Sequence, residues 1–287
     1  MGGNLRPDSV SGIDSLNKHT HKIVKMPQLM GILNITPDSF YAESRFNYQN
    51  VINRAEHMIN NGADWLDVGG ESTRPGATKI SIEEELDRVI PIIKLLRKEF
   101  PEVLISIDTR NYQVARLAIE NGANMVNDVS GLRDVKMQDL VLETGCMVCI
   151  MHMQGEPGSM QEQPNYDDVV EEVVKYLEHK AQELINRGHK MENIVIDPGI
   201  GFGKNHQHNL ALMRAVSRFK QLGYSLLWGI SRKSVIGKMT NKSDVSERLP
   251  GTLGSSIYAA LHGVDILRVH DVDEHNDMLN VYRYLTD

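Results

Sequence analysis

The order of apolar segments predicts an α/β protein, a single (β/α)₈ TIM barrel with a short N-terminal extension. From residue 28 onward, eight short aliphatic segments alternate with amphipathic stretches, and no break leaves room for a second domain. The aliphatic segments do not alternate with polar residues, which is typical of parallel strands buried on both faces. An open doubly wound sheet is the alternative, but it usually carries a glycine fingerprint after its first strand, where this chain has Asn34 to Asp38.

The eight predicted strands are residues 29–34, 65–69, 104–108, 125–129, 147–151, 194–197, 226–229 and 266–269. Residues 1–25 mix Gly, Pro, Ser, Asn and His with no sustained period. We therefore predict a tail or a short hairpin over 1–25 and the barrel over 26–287. The tail includes a Lys-His-Thr-His-Lys patch at 18–22, for which a solvated tail is favoured over a metal site.

Helix signals separate these strands. Ser81 followed by Glu84 has the spacing of a capping box, and the helix that it opens is predicted to run to about Phe100. The longest helix is predicted from one apolar stripe at 3.6-residue spacing: Val169, Val170, Val173, Val174, Leu177, Ala181, Leu184 and Ile185. Four glycines follow helical stretches and precede strands, as glycine does where it ends a helix: Gly62, Gly122, Gly188 and Gly223.

Composition excludes several classes of protein. The 287 residues are 41% hydrophobic and 24% charged, which is the balance of a folded globular chain. The formal net charge of −7 argues against a nucleic-acid partner, and the chain has no apolar run long enough to span a membrane. The N-terminus lacks the apolar core of a signal peptide, and two cysteines are typical of a reducing compartment. We therefore expect a cytoplasmic protein with neither nucleic-acid nor membrane partners.

Polar side chains follow nearly every predicted strand, and catalytic groups of a parallel barrel lie at the carboxyl ends of its strands. These groups are Asn34, Asp67, Asp108, Asn127, Met151-His152, Asp197, Ser231-Arg232-Lys233 and Arg268-Val269-His270. Any one of them could simply begin a loop or cap a helix. Their occurrence at so many strand ends favours a shared site, because buried carboxylates and amides need partners.

The predicted mouth of the barrel has two electrostatic halves. Hydrogen-bond acceptors come from the middle strands: Asp67, Asp108, Asn127 and Asp197. Positive charge comes from Arg74, Lys233, Arg268 and His270, and loops after strands seven and eight often bind phosphate in such barrels. Asn34 is placed to offer an oxygen to a divalent cation that bridges phosphates. We therefore predict a phosphorylated or pyrophosphorylated substrate whose other end carries N–H donors.

Three weaker motifs carry less functional weight. The glycine-rich segment 199–204 fits neither nucleotide-binding pattern, so we interpret it as a close backbone approach to a ligand ring, with Phe202 as a wall. Cys146 and Cys149 would point to opposite faces of a strand, which argues against a zinc or redox pair. His206 and His208 have no second pair of metal ligands nearby in the sequence, which argues against a zinc site.

The same residues resemble the dihydropteroate synthase family. The matching segments occur in order over about residues 28–271: GILNITPDSF (31–40), DVGGESTRPG (67–76), SIDT (106–109), VNDV (126–129), MHMQG (151–155), DPGIGFGK (197–204), SRKS (231–234) and RVHD (268–271). Single segments of this length would be weak, whereas the ordered set is specific. The family usually has a Ser-Asp-Gly-Gly-like turn after Phe40, and this chain departs from it over 41–46.

The resemblance implies a (β/α)₈ enzyme of folate synthesis that uses Mg²⁺. It would join 6-hydroxymethyl-7,8-dihydropterin diphosphate to 4-aminobenzoate and release pyrophosphate and 7,8-dihydropteroate. A homodimer through the last helices is also implied. A pterin-dependent methyltransferase, a non-catalytic pterin-binding protein and a barrel of unrelated function are the alternatives.

The resemblance also assigns roles to individual residues. It implies pterin contacts from Asp108, Asn127, Met151, Asp197, Phe202 and Lys233. It implies diphosphate contacts from Asn34, Arg268 and His270, with Asn34 at the metal, and an aminobenzoate site framed by Thr73, Arg74, Pro75 and Ser234. We expect Asp108, Asp197, Lys233 and Arg268 to act in catalysis. A pterin presents two N–H donors on one edge, which suits a buried carboxylate, and Asp197 is our candidate.

Overall fold

The strands form a closed parallel barrel in chain order, from β1 to β8 and back to β1. The computed structural model describes residues 25–35, 45–71, 80–155, 160 and 164–286. The predicted tail therefore lies almost wholly outside the described residues, as do residues 41–44 of the loop that departs from the family pattern. The predicted (β/α)₈ barrel is confirmed.

The strands are β1 (Gln28–Asn34), β2 (Trp65–Gly69), β3 (Leu104–Asp108), β4 (Met125–Asp128), β5 (Met147–Met151), β6 (Ile194–Asp197), β7 (Ser225–Trp228) and β8 (Ile266–Val269). The helices are α1 (Arg45–Asn60), α2 (Ile82–Glu99), α3 (Tyr112–Glu120), α4 (Val135–Thr144), α5 (Val169–Asn186), α6 (His206–Arg214), α7 (Val216–Lys220), α8 (Ser234–Thr240), α9 (Leu249–Leu261) and α10 (Val272–Thr286). Each predicted strand end differs from the observed one by at most one residue.

The helix signals are also confirmed, with one difference at the start of α2. The Ser81 side chain accepts a hydrogen bond from the backbone N–H of Glu84, at 3.1 Å. The Glu84 carboxylate pairs with Arg88 one turn further along instead of returning to Ser81. The guanidinium of Arg88 is buried and also donates to the Gly70 carbonyl, so α2 is fixed against the end of β2.

An apolar layer fills the lower part of the barrel interior. It takes one buried residue from every strand except β3: Met30, Trp65, Met125, Cys149, Val195, Leu227 and Ile266. The opposite face of each strand packs against the surrounding helices in a separate, larger core. Cys149 lies in the inner layer and Cys146 precedes the strand; both are unpaired. Because side chains alternate along a strand, the interior positions above this layer are two residues further on.

Asp and Asn side chains seal the amino-terminal end of the barrel at three strand pairs. Each stands just before a strand and exchanges hydrogen bonds with the preceding strand in the ring: Asp64 with Leu29, Asn124 with Ile105, and Asp265 with Leu226. The side chain accepts the backbone N–H while the backbone N–H of the same residue donates back. These contacts satisfy strand ends that would otherwise lose pairing.

Within the part of the chain that the structure describes, no helix combines the length and apolar character required to cross a membrane.

We expect Asn124→Ala to lower the free energy of unfolding by about 1–3 kcal/mol, because it leaves the buried N–H of Ile105 without an acceptor. Asn121→Ala is the matched control, since the Asn121 side chain donates only to an exposed turn of α3. Urea unfolding of both variants measures the difference. Equal stability of the two variants would show that the seal contributes nothing.

Candidate active site

Strand alternation brings polar side chains together directly above the apolar layer. Four polar residues stand two positions after a member of that layer: Asp67, Asn127, Asp197 and Arg268. Met151 has the same relation to Cys149, and Asp108 stands two positions after Ser106 on β3. All six therefore face the interior at the carboxyl end of the barrel.

Arg268 is held between two carboxylates. Its Nε lies 2.5 Å from Oδ2 of Asp67, and its Nη2 lies 2.6 Å from Oδ2 of Asp108. The Asp67 side chain is fully buried, and Nδ2 of Asn127 lies 3.4 Å from its Oδ2. Burial opposes the guanidinium charge, but Asp67 and Asp108 together hold the pKa of Arg268 above its ordinary value.

Asp108 is the group in this cluster that can change its charge near neutral pH. Its pKa is raised to about 7, mainly by burial; Arg268 lowers the pKa and the Asp67 charge raises it. Its second oxygen, Oδ1, is buried and has no hydrogen-bond partner in the described structure. An unpartnered carboxylate oxygen facing the barrel mouth is able to accept a donor from a ligand.

A second cluster joins Asp197 to the loop after β7. Asp197 Oδ1 accepts the backbone N–H of Gly199 at 2.8 Å. Burial raises the pKa of Asp197, while the charge of Lys233 and this N–H lower it. Lys233 Nζ donates to the Ile200 carbonyl at 2.5 Å and lies 4.4 Å from the centre of the Phe202 ring. Burial lowers the pKa of Lys233 to about 8, and Asp197 opposes that shift.

Two glycines lie where the charged groups of the two clusters come close to one another. A Cβ atom at Gly229 would lie 3.8 Å from Asp197 Oδ2 and 3.9 Å from both Lys233 Nζ and Arg268 Cδ. A Cβ atom at Gly69 would lie 3.6 Å from Asn34 Oδ1 and from Asp108 Cβ. The absence of these side chains leaves space between the charged groups.

Comparison with known proteins places the chain in a family. The sequence profile described as "Pterin binding enzyme" matches residues 30–270. The dihydropteroate synthase of Escherichia coli (strain K12) is 45% identical over 256 residues, which cover 89% of this chain and 90% of that protein. The chain belongs to the dihydropteroate synthase family. The predicted resemblance is thereby confirmed.

Solved structures agree with this assignment. A Yersinia pestis dihydropteroate synthase with a sulfonamide drug complex has a TM-score of 0.84 and 38% identity. A Xanthomonas albilineans dihydropteroate synthase with 4-aminobenzoic acid gives the same two values. Each alignment covers 91% of this chain and 94% of the other chain.

The remaining predicted site residues fall into three groups. Asn34 ends β1 beside Gly69, and His270 follows β8, where its Nδ1 lies 2.9 Å from Ser231 Oγ. Ser234 begins α8 and is exposed beside a cavity of about 210 Å³ that Gly201 and Lys238 also line. Thr73, Arg74 and Pro75 lie outside the described residues.

The structure differs from the predicted division of the mouth into acidic and cationic halves. Arg268 lies between two carboxylates and Lys233 lies near Asp197, because a buried charge is costly unless it is paired. Asp67 was expected at a strand end, but it stands in the middle of β2, below the rim. Its observed partners are Arg268 and Asn127.

Two glycines of the glycine-rich segment approach the protein's own backbone, and the predicted approach to a ligand ring stays a prediction. Gly199 and Gly203 have positive φ angles of 68° and 59°, and a Cβ at either would collide with the loop after β5, at the carbonyl oxygens of His152 and Gln154. Phe202 does form a wall, under Lys233. Sequence reasoning missed Lys204, which this approach buries; its place directly after three alternate glycines was the available signal.

We expect Asp67→Asn to lower the pKa of the Asp108 carboxyl group below its value of about 7, because it removes the neighbouring negative charge that raises it. Titration of the ¹³C-labelled carboxyl group by NMR measures the shift. Asp139→Asn, at an exposed carboxylate paired with Arg187, is the control and should leave the Asp108 pKa unchanged. An unchanged Asp108 pKa in Asp67→Asn would contradict the electrostatic coupling between Asp67 and Asp108.

Proposed function

We propose that the protein is a dihydropteroate synthase that condenses 6-hydroxymethyl-7,8-dihydropterin diphosphate with 4-aminobenzoate, giving 7,8-dihydropteroate and pyrophosphate. The convergence of Asp108, Asn127, Asp197, Lys233 and Arg268 above one apolar layer carries this proposal. Family membership supports it, as do the Xanthomonas albilineans structures, one with 4-aminobenzoic acid and one with 7,8-dihydropteroate.

The pterin fits the space between the two clusters. Asp197 Oδ2 is directed toward Gly229 and can accept the two N–H donors of the pterin edge, while Gly199 holds the other oxygen in place. Lys233 can donate to the ring carbonyl, and Asn127 can both donate and accept. Met151 and Phe202 supply apolar surface beside the ring.

The electrostatics favour a dissociative reaction. When the carboxylates of Asp67, Asp108 and Asp197 are all ionised, they exceed the positive charges of Arg268 and Lys233 by one. Early breaking of the C–O bond to diphosphate would leave a methylene cation delocalised over the pterin, which this preorganised negative charge stabilises. The aryl amine of 4-aminobenzoate is neutral at pH 7, so it can attack the methylene carbon without a strong general base.

The leaving diphosphate fits the side of the rim that β1 and β8 form. Arg268 Nη1 donates to no group in the described part of the chain, and it is therefore available to a phosphate oxygen. His270 lies two residues further on, and the Asn34 amide makes no hydrogen bond with the described side chains.

Asn34 also suits Mg²⁺ bound mainly through the substrate. The described residues contain no group of three or more His, Cys, Asp or Glu side chains able to hold a metal, and Mg²⁺ commonly takes one or two protein oxygens plus phosphate and water. Asn34 Oδ1 would supply such an oxygen, and Gly69 leaves it sterically open. The ion would neutralise charge on the leaving diphosphate.

The aminobenzoate site is proposed at Thr73, Arg74, Pro75 and Ser234. Ser234 directly follows Lys233, and the cavity beside it reaches Gly201 in the loop that holds Phe202. The amine would thus approach the pterin from the side of the β6 and β7 loops. The cytoplasmic location that the cysteine content predicts stays a prediction.

Asp197→Asn should reduce kcat/KM for the pterin diphosphate by about 10²- to 10³-fold, because it removes charge that stabilises the transition state. The assay is pyrophosphate release with Mg²⁺ and 4-aminobenzoate. Asp64→Asn is the control, because Asp64 lies at the opposite end of the barrel and Asn has nearly the same shape. Its kcat/KM should stay within about twofold of the value for the unaltered protein. Unchanged kinetics in Asp197→Asn would remove Asp197 from the site, and no pyrophosphate release by the unaltered protein would contradict the proposed function.

We also propose that two copies associate through α9 and α10. Val281, Tyr284 and Leu285 lie on one face of α10 and are exposed, and Leu261 at the end of α9 is exposed as well. Adjacent exposed apolar side chains of this size are typical of a protein interface, and the family resemblance implies a homodimer at the last helices.

Val281→Asp should convert the dimer to a monomer in light scattering after size-exclusion chromatography, because it places a charge within the apolar face. Val135→Asp is the matched control, since Val135 on α4 has the same 61% exposure as Val281. A monomer before mutation, or equal masses for the two variants, would contradict the proposed interface.

A further inference from the structure

Two family segments contribute buried residues that the proposed reaction does not use. They are MHMQG at 151–155, which contains His152, and DPGIGFGK at 197–204, which ends in Lys204. The structure brings them into contact at the glycine-rich loop, where Lys204 also lines the cavity beside Ser234. Lys204 is 2% exposed and His152 is 8% exposed.

The Lys204 ammonium group connects the loops that follow β5 and β6. Its Nζ donates to the carbonyl oxygens of Gly199 and Phe202, each at 2.9 Å, and of His152 at 3.1 Å. The His152 Nδ1 atom also lies 3.1 Å from Nζ. Four acceptor atoms, three carbonyl oxygens and one ring nitrogen, surround the three N–H donors of the ammonium group, so the buried charge is compensated by hydrogen bonds.

The protonation state of the His152 imidazole suits its contact with the Lys204 ammonium group. Burial and, after it, the charge of Lys204 lower the pKa of His152 to about 3, so the imidazole is neutral near pH 7. A neutral ring can present an unprotonated Nδ1 to the ammonium. Burial also lowers the pKa of Lys204 to about 7, against which Asp197 acts. The carbonyl acceptors favour the charged form.

The same loop also contacts the groups assigned to the pterin. Gly199 donates to Asp197, the Ile200 carbonyl accepts from Lys233, and the Phe202 ring lies under the Lys233 ammonium group. Two of these three residues, Gly199 and Phe202, are also the ones whose carbonyls Lys204 binds. The position of Lys204 therefore fixes the backbone that orients Asp197 and Lys233.

We propose that Lys204 is a positioning residue for the pterin site, acting through the loop at 199–203 and not by contact with substrate. Only the expected effect on kcat/KM rests on the proposed function. Misplacement of an orienting loop by about 1 Å is enough to reduce a rate about 10²-fold, so the effect on turnover should exceed the effect on stability.

The test compares Lys204→Met with Asn124→Ala, which also removes buried hydrogen bonds but lies at the opposite end of the barrel. Both variants should melt at lower temperature. We expect Lys204→Met alone to weaken calorimetric binding of 6-hydroxymethyl-7,8-dihydropterin about tenfold and to reduce kcat/KM about 10²-fold. Hydrogen exchange at the amides of Gly199 and Phe202 should accelerate in Lys204→Met and not in Asn124→Ala.

Pterin affinity and kcat/KM within twofold of the unaltered protein, together with a lower melting temperature, would overturn the proposal and leave Lys204 with a structural role alone. If Lys204→Met does not fold, Lys204→Gln replaces it, because the amide keeps two N–H donors on a shorter side chain. In that variant, accelerated hydrogen exchange at Gly199 and Phe202 together with pterin affinity within twofold of the unaltered protein would overturn the proposal. Failure of turnover in the unaltered protein would contradict the proposed function, whereas pterin binding and hydrogen exchange would still test the role of Lys204.

Discussion

The site depends on the requirement that buried charge be paired. Arg268 comes from the last strand, and its two carboxylate partners come from β2 and β3, 201 and 160 residues earlier in the chain. β1 stands between β8 and β2 in the ring, so this ion-pair network crosses the strand that closes the barrel. The Arg268 charge is therefore compensated only when the barrel closes in the correct register. A slip by one residue would turn these side chains to the other face of the sheet.

The same pairing gives the rim its chemical character. Two carboxylates hold the Arg268 guanidinium in one orientation, and the surplus of negative charge suits a group that becomes cationic during reaction. Lys233 is held in a comparable way by Ile200, Phe202 and Asp197. Two ammonium groups thus connect the loops after β5, β6 and β7: Lys233 joins the β7 loop to the glycine-rich segment, and Lys204 joins that segment to the β5 loop.

The elements of the fold could be predicted from the sequence because their signals are local. Apolar segments, a serine cap at Ser81 and terminating glycines such as Gly62 and Gly122 each act over a few residues, and the observed strand ends agree within one residue. For the site, the sequence indicated which residues come together but not how they pair. The order of the strands implied that Asp108, Asp197 and Arg268 converge, but pairing between distant side chains leaves no local trace. For that reason the depth of Asp67 and the burial of Lys204 were not predicted.

The thiol of Cys149, in the apolar layer inside the barrel, can report opening of the barrel. Cys149 is completely enclosed by residues from the other strands, and burial raises the pKa of its thiol well above the ordinary value. Such a thiol does not react while the ring of strands is intact. Its alkylation would therefore report the rare global fluctuations in which neighbouring strands separate, as distinct from the movements of surface loops.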